Sequence, residues 1–461
     1  MSDAGWAAAV ADLRAEVAEL RAVLAARDQR ITELEKLLEE ARRAGKRQAA
    51  PFSKGDPKPE PARSGRKSGK AHGRHGHRMA PTTVDRELEA PAPLVCPHCG
   101  GDTELERIAD QYQTDLPDPE PVVTRFRVHI RRCRHCGHRV QGRHLEQTSD
   151  ALGAAAAQIG PHLKGLAALL HYGMGLSFGR VAALMARWGV PVTAGAICQA
   201  SQTTGTALEP TTRAMKQALA DAGQVTMDET GWRISGRSAW LWVATSVTVT
   251  VFVVADGRGF EQACDLVEAD YGGVIVRDGW GPYRRYTQAR HQSCAAHVLR
   301  RCHEMQQDLP GWARSTPRRV ANLLTEALDA RDLPTRKRRA AAVDIAERFD
   351  LLLEEAQPHE ANRKLIKHLT NERTALLTFL DLPGIDATNW RGEQAIRPGV
   401  VNRKTSGGNR SDRGAETQGR IMSLLRTAHQ QGADAVDLLV GLARAPTPYV
   451  VPLALPGAHL T

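Results

Sequence analysis

Two aspartates lie in strand-like stretches of the chain, in positions that suit metal chemistry. Asp228 lies within GQVTMDETGWRI, and Asp278 ends the β-branched run GGVIVRD. If the two strands lie side by side, their carboxylates meet, and two like charges that close together are unfavourable unless a cation or a proton offsets them. Carboxylate ligands of this kind suit Mg²⁺ or Mn²⁺. The alternative is that each aspartate only forms a turn or caps a helix.

A third acidic ligand is expected in the stretch TNWRGEQAIRPGVVNRKTSGGNRSDRG, which contains Glu393. Asn389 is placed to cap the helix that carries Glu393. Glu229 should point away from the site that Asp228 faces, because successive strand residues face opposite sides of a sheet. Basic residues separated by glycines follow the glutamate, and this mixture suits a loop pressed against phosphates. They are Arg397, Arg403, Lys404, Arg410 and Arg413.

The elements around the two aspartates follow a definite order. Two further strand-like stretches, SAWLWVATS and TVTVFVVAD, lie between them, and GFEQACDLVEADYG reads as a helix. Three hairpin-linked strands followed by a helix and a parallel strand indicate a ribonuclease-H-like α/β fold, in which the first and fourth strands are neighbours. We expect this core over 221–430, with a helical insertion at about 295–382 and a C-terminal tail over 431–461.

Four of the eight cysteines form two Cys-x-x-Cys pairs, each followed by glycine. Paired cysteines in a reducing compartment favour zinc over disulfides. Four thiolates would give the closed tetrahedral coordination of a structural Zn²⁺ site. We therefore predict a zinc-binding segment over 93–146, which either binds DNA or braces a domain. Its ligands are Cys96, Cys99, Cys133 and Cys136.

The N-terminal region carries a heptad seam and then a basic arm. Apolar residues recur at alternating spacings of three and four, which predicts a self-associating coiled coil over 1–42. The seam consists of Val10, Leu13, Val17, Leu20, Leu24, Arg27, Ile31, Leu34 and Leu38. Residues 42–78 then hold twelve Lys/Arg against two Asp/Glu, which accounts for the net charge of +10. A disordered basic linker over 43–92 follows, of a kind that suits phosphate backbones.

Residues 150–220 read as helices. SFGRVAALMARWG and PVTAGAICQASQTTG are joined by a short turn, as in a DNA-binding helix-turn-helix, although any small helical bundle shows the same pattern. No apolar run approaches the ~20 residues needed to span a bilayer, and the N-terminus does not resemble a signal peptide. We expect a cytoplasmic, nucleoid-associated protein without a membrane partner.

The chain resembles the DDE transposases of insertion sequence family sixty-six. The matching motifs are MDETGW, RDGWGPY, CAAH with the following RR, and the long stretch NWRGEQAIRP…RKTSGGNRS. The resemblance implies that Asp228, Asp278 and Glu393 are the catalytic, metal-binding triad. The chain departs from the family at Trp280, where Tyr is frequent, and at Gln394, where Arg is frequent. Cys294 and His297 have the spacing of metal ligands, and we expect them to have a packing and DNA-facing role with Arg300 and Arg301 rather than to bind a second zinc ion.

The expected function is metal-dependent cleavage of double-stranded DNA at the ends of an insertion sequence, followed by strand transfer into target DNA. A homo-oligomer formed through the coiled coil, and accessory proteins of the same element, are the expected partners. One alternative is a dimeric zinc-containing DNA-binding regulator with an inactive core. Another is a ribonuclease-H-like nuclease that cuts without strand transfer.

Overall fold

The computed structural model describes eight positions between residues 17 and 34, residues 80–116 and residues 119–455. The chain divides into two compact units, Met1–Pro117 and Asp118–Thr461. Most of the predicted basic linker therefore lies outside the described residues, as do Val10, Leu13 and Leu38 of the heptad seam.

In the first unit, the described positions between residues 17 and 34 are helical. The seam residues among them expose their apolar side chains; for example, Leu24 is 58% exposed. Residues 80–116 are mostly irregular, with a turn after Cys96 closed by an isolated bridge between Val95 and Asp102. The first unit thus presents an apolar helical face and a cysteine turn.

The second unit begins with a small hairpin and four helices. Strands β1 (Ile130–Arg132) and β2 (Arg139–Gln141) pair antiparallel. The first three helices pack around a small core of their own, and the fourth buries Met215 and Leu219 in the main core. Ser177 and Thr193 cap the second and third helices, because their hydroxyls accept hydrogen bonds from backbone N–H groups of the first turn. The four are α1 (Pro161–Ala168), α2 (Phe178–Arg187), α3 (Ala194–Ala207) and α4 (Glu209–Ala220).

A five-stranded mixed sheet forms the centre of the second unit, in the order β5-β4-β3-β6-β7. Ser235 and Gly236 both have positive φ, which fits the tight turn of the β3–β4 hairpin. β6 pairs parallel to β3, and β7 parallel to β6, so the first and fourth strands of the sheet are neighbours, as the sequence predicts. The strands are β3 (Gln224–Ile234), β4 (Arg237–Thr245), β5 (Thr250–Ala255), β6 (Val274–Arg277) and β7 (Arg290–Ser293).

The helix between β5 and β6 is shorter than predicted. α5 (Phe260–Cys264) ends early, and the chain turns while Leu266 and Val267 remain buried. After β7 comes the helical insertion, whose buried residues form a separate apolar core around Phe349 and Leu369. Its helices are α6 (Ala295–Asp308), α7 (Ser315–Ala330), α8 (Thr335–Glu354), α9 (Glu360–Glu372) and α10 (Thr378–Asp381).

Three helices follow the insertion: α11 (Trp390–Ser406), α12 (Asp412–Gln431) and α13 (Ala435–Arg444). α12 packs against β5, where a Cβ at Gly419 would lie 2.8 Å from the carbonyl oxygen of Phe252. The region predicted as a C-terminal tail carries α13, and its Leu439 and Leu442 are buried in the main core. In the described part of the chain, no helix is long and apolar enough to cross a membrane.

Candidate carboxylate site

The parallel pairing of β3 with β6 brings the two aspartates to one edge of the sheet. The last residues paired between the two strands are Thr226 and Val276. Asp228 lies two residues after Thr226, and Asp278 lies two residues after Val276. β3 covers all but the first residue of the strand-like stretch GQVTMDETGWRI and contains Asp228. β3 continues to Ile234 because it keeps its antiparallel partner β4 along this whole stretch.

Glu393 reaches the same region through the first turn of α11. A Cβ at Gly392 would lie 3.1 Å from the Cβ of Asp228 and 2.6 Å from Oδ1 of Asn389. Helix α11 therefore packs directly on β3 at Asp228, and only a glycine fits at the contact. The carboxylate of Glu393 is exposed, and its Oε1 lies 3.7 Å from Nε2 of His297 on α6. Three acidic residues from distant parts of the chain thus converge.

The surroundings of Asp228 disfavour its charged form. Its pKa is raised to about 7, mainly by burial and further by the carboxylates of Glu229 and Asp278. A hydrogen bond from the Glu229 N–H and the charge of His297 work in the opposite direction. A divalent cation would offset this repulsion and favour the ionised form.

Two backbone N–H groups orient the aspartates. Oδ1 of Asp228 accepts a hydrogen bond from the N–H of Glu229 at 2.9 Å. Oδ1 of Asp278 accepts one from the N–H of Trp280 at 2.8 Å. Each bond uses one oxygen and leaves Oδ2 available to a ligand, so the local backbone fixes the direction of both carboxylates.

The carboxylate of Glu229 binds Arg258 and Tyr283 rather than the carboxylates of Asp228 and Asp278. It is buried, forms an ion pair with Arg258 at 2.6 Å and accepts a hydrogen bond from the hydroxyl of Tyr283. Burial raises its pKa, and the bond from Tyr283 opposes the increase. The guanidinium of Arg258 lies over the rings of Trp240 and Trp280, at 4.6 and 3.9 Å from their centroids. Glu229 therefore anchors the loop that follows Asp278.

Asn389 does not act as the predicted side-chain cap. It occupies the N-cap position of α11, but its amide makes no capping hydrogen bond. The residue is fully buried, and neither amide atom has a partner among the described residues. Its backbone N–H donates to the thiol of Cys294 at 3.1 Å. The first turn of α11 is therefore linked to the start of α6 through Cys294, and the side chain of Asn389 does not cap it.

His297 is the residue near the triad whose position the sequence did not predict. The neighbouring thiol of Cys294 raises its pKa most, burial opposes this, and the charge of Glu393 adds to the increase. The Cys-x-x-His spacing at the start of α6 was the available signal for this residue. The structure places His297 beside Glu393, and its DNA-facing role stays a prediction.

The predicted basic loop is mostly helical. Arg403 and Lys404 lie in the last turn of α11, and only residues 407–411 separate α11 from α12. Arg403 is not a free cation, because its guanidinium donates to Oγ1 of Thr230 at 3.0 Å and to the carbonyl of Gly231. Arg301 is partly buried, and burial lowers its pKa. The exposed members of the predicted DNA-binding set are Arg300, Arg397, Lys404, Arg410 and Arg413.

The two cysteine turns share one local geometry. In the first, the N–H of Gly100 donates to the carbonyl of Cys96 at 2.9 Å; in the second, the N–H of Gly137 donates to that of Cys133 at 3.0 Å. Both glycines have φ near +70°, a conformation that a residue with a side chain rarely adopts. Backbone hydrogen bonds lower the pKa of Cys96 and of Cys133. Each turn therefore favours the thiolate that a metal requires.

Comparison with known proteins identifies the family. The model of the Transposase IS66 family matches residues 156–417, more than half of the chain. The model of the zinc-finger binding domain of transposase IS66 matches residues 93–137, which include all four paired cysteines. The chain belongs to the IS66 transposase family, a class of DNA-processing enzymes. It combines the zinc-finger domain of that family with a mixed α/β domain.

One relative is the uncharacterized protein y4qI of Sinorhizobium fredii (strain NBRC 101917 / NGR234). It is 24% identical over 308 residues, which cover 59% of this chain and 57% of the relative. The chain thus matches little more than half the length of that protein. The similarity supports common ancestry and leaves the activity to be argued from the site.

The side chains present fit a divalent metal in donor type. All three acidic groups offer oxygen, the ligand that Mg²⁺ and Mn²⁺ prefer, and a bound cation would oppose the causes that raise the pKa of Asp228. Among the residues that the structure describes, no three His, Cys, Asp or Glu side chains stand in a metal-holding arrangement. The carboxylates thus converge without forming a closed set of ligands.

Proposed function

We propose that the protein cleaves DNA at the ends of an insertion sequence and transfers the freed strand into target DNA, with Asp228, Asp278 and Glu393 as the catalytic residues. The observation that carries this proposal is the convergence of the three acidic residues. They lie on β3, after β6 and on α11, and the charge of Asp228 is destabilised by burial and by neighbouring carboxylates. The order of the five strands supports a ribonuclease-H-like core.

In this proposal the three carboxylates hold Mg²⁺ or Mn²⁺. Such ions, when bound, generate a nucleophilic oxygen and stabilise the leaving oxygen of a phosphodiester. The protein contributes orientation: the N–H groups of Glu229 and Trp280 direct the two aspartates. His297 lies beside Glu393, at 3.7 Å, and restrains the most exposed of the three ligands.

The exposed basic residues around α11 supply the DNA contact. Arg397 lies one helical turn after Glu393, so the two side chains share a face of the helix. Arg410 and Arg413 flank the start of α12. Cations at these positions contact phosphates and fix the register of the duplex without reading its sequence.

The N-terminal regions would serve assembly and end binding. The exposed apolar positions of the first helix, such as Leu20 and Ile31, support a coiled coil that joins copies of the chain. We assign the four paired cysteines to one Zn²⁺, as the zinc-finger match supports. Accessory proteins of the same element complete the proposed assembly.

The test is strand cleavage and joining on DNA that carries the element's own ends, in Mg²⁺, with wild type and Asp278→Asn. Wild type should cut and join, and the variant should bind the same DNA without cutting. If both proteins bind the ends and neither cuts, with accessory proteins present, the chain is a DNA-binding regulator. Cutting without joining would instead make it a nuclease.

A further inference from the structure

The helical insertion reaches the loop of Asp278 through one buried carboxylate. Glu372, the last residue of α9, is fully buried. Its Oε2 accepts a hydrogen bond from Nη1 of Arg277 at 2.6 Å, and its Oε1 accepts one from Nη1 of Arg284 at 2.7 Å. Arg277 is the last residue of β6, and Arg284 lies in the turn beyond Asp278. One carboxylate of the insertion therefore binds both sides of the loop.

Arg277 passes this constraint to the backbone of Asp278. The same Nη1 donates to the carbonyl oxygen of Asp278 at 2.8 Å. Its Nε donates to Nδ1 of His291 at 3.2 Å, and Nε2 of His291 bonds the carbonyl of Tyr286 at 2.9 Å. The guanidinium thus links Glu372, Asp278 and the far end of the loop. Loss of the Glu372 carboxylate would remove one of the bonds that hold this guanidinium in place.

A second contact between the insertion and the loop is steric. A Cβ at Gly279 would overlap the imidazole of His368, which lies on α9 one turn before Glu372. Glycine at this position lets α9 approach the backbone directly beside Asp278. The loop is therefore held from the insertion by charge at Arg277 and by close packing at Gly279.

The buried pair of Arg277 and Glu372 contributes to the position of the Asp278 loop more than to the stability of the fold. Arg277 and Glu372 are each almost fully buried, and an ion pair taken out of water gives little net stability compared with apolar side chains of the same volume. A carboxylate that accepts one charge-assisted hydrogen bond from each of two arginines does fix the relative position of the elements that carry them. The apolar core of the insertion would stabilise α9 without this carboxylate.

We propose that Glu372 is a positioning residue for Asp278, so that the helical insertion sets the geometry of the candidate metal site. The inference rests on the proposed role of Asp278 as a metal ligand. It assigns a task to the insertion besides any contact with DNA. Asp228, Asp278 and Glu393 do not form a complete set of metal ligands in this structure. The position of the Asp278 loop then determines how readily the three carboxylates bind one cation.

The test measures Mn²⁺ binding to the full-length protein directly, from the electron paramagnetic resonance signal of free Mn²⁺. Asp278→Asn defines the signal without the site. Glu372→Gln keeps the volume of the side chain and removes its charge. We expect it to weaken Mn²⁺ binding by at least about tenfold, the range seen when groups that orient metal ligands are removed. The Mg²⁺ concentration needed for half-maximal cleavage should rise in parallel.

A matched control separates positioning from stability. Phe349→Leu opens space in the apolar core of the insertion and leaves Arg277, Arg284 and Glu372 unchanged. It should lower the melting temperature and leave Mn²⁺ binding unchanged. If Glu372→Gln does not fold, Arg284→Gln replaces it, because Arg284 is partly exposed and its loss frees the far side of the Asp278 loop from Glu372, while Arg277 still neutralises the buried carboxylate. That variant should also weaken Mn²⁺ binding.

The outcomes distinguish this inference from the proposed function. Wild-type affinity for Mn²⁺ in folded Glu372→Gln, or in its substitute Arg284→Gln, overturns the positioning role and leaves the proposed function intact. Equal losses of affinity in Glu372→Gln and Phe349→Leu also overturn it, because stability alone would explain both. Wild type that binds Mn²⁺ at Asp278 and cuts no DNA contradicts the proposed function, while the positioning role is still decided by the Mn²⁺ titrations.

Discussion

The paired cysteines and the acidic triad are two candidate metal sites assembled over very different distances in the chain. Each cysteine pair spans four residues, and its geometry comes from one turn with a glycine in the left-handed region. The acidic residues are far apart in sequence and meet only through the pairing of β3 with β6 and the packing of α11 on β3. A turn forms locally, whereas the triad requires the whole sheet. The two sites should therefore respond differently to substitution.

The largest expected effect on catalysis is that of Glu393→Gln. Glu393 is exposed, so its loss should leave folding unchanged. We expect DNA cleavage to fall by at least about a hundredfold, because loss of groups that only orient a metal ligand already costs up to that factor. Cleavage rates in Mg²⁺ and the melting temperature measure the two properties. Gln394→Asn, at the next exposed position, is the control, and equal rates in the two variants would remove Glu393 from the triad.

Gly392→Ala tests whether packing of α11 on β3 assembles the triad. The added methyl group would lie 2.6 Å from Oδ1 of Asn389 and 3.1 Å from the Cβ of Asp228. The helix must shift, and we expect cleavage to fall by about tenfold, since small displacements of positioned groups have effects of at least this size.

Gly179→Ala is the matched control for Gly392→Ala. It lies in helix α2, where a Cβ meets no atom within 4 Å. Alanine should stabilise that helix by less than about 1 kcal/mol, because Gly179 lies in its first turn, and should leave cleavage unchanged. A wild-type rate in Gly392→Ala would show that α11 tolerates the shift and that close packing does not set the position of Glu393.

Cys133→Ser should separate the two candidate metal sites. We expect bound zinc to drop from about one ion per chain to almost none, since the structural sites of this kind use all four thiolates. Mn²⁺ binding at the carboxylates should be unchanged, because no paired cysteine belongs to the triad. Zinc content by atomic absorption and the Mn²⁺ titration provide the readouts. Cys264→Ser, outside the pairs, should keep its zinc; parallel loss of both metals in Cys133→Ser would mean that the sites are coupled.

The smallest effect is expected for an exposed ion pair of the insertion. Glu326 and Arg348 lie 2.6 Å apart, with side chains nearly half exposed. Glu326→Gln should change the free energy of unfolding by less than about 1 kcal/mol, because solvent screens such pairs. Denaturant unfolding and Mn²⁺ binding should both resemble wild type. A loss of Mn²⁺ affinity as large as in Glu372→Gln would show that any charge change in the insertion reaches the site.

Several features of the fold could be predicted from local sequence. The β-branched runs indicated the strands, the stretches SFGRVAALMARWG and PVTAGAICQASQTTG indicated α2 and α3, and the order of the elements indicated the neighbouring positions of β3 and β6. The Cys-x-x-Cys-Gly pattern predicted a zinc-binding segment, and the zinc-finger match covers the same four cysteines. These signals are readable because each depends on a few adjacent residues.

Other features depended on partners that the local pattern does not contain. The basic residues after Glu393 were predicted to form a loop, but α11 extends to Ser406 and Arg403 is held by Thr230 and Gly231 of β3. Asn389 looked like a cap and is buried without a side-chain partner among the described residues. In each case a contact from elsewhere in the chain overrode the local preference.

The sequence by itself determined the family, the chemical type of the candidate ligands and the local turns that hold the cysteines. Only the tertiary structure decided which groups surround those ligands. It placed His297 beside Glu393, tied Arg403 to β3 and buried Glu372 between Arg277 and Arg284. The reason is physical: the type of a side chain is encoded at one position, whereas its charge environment is the sum of contacts from elements that are distant in the chain.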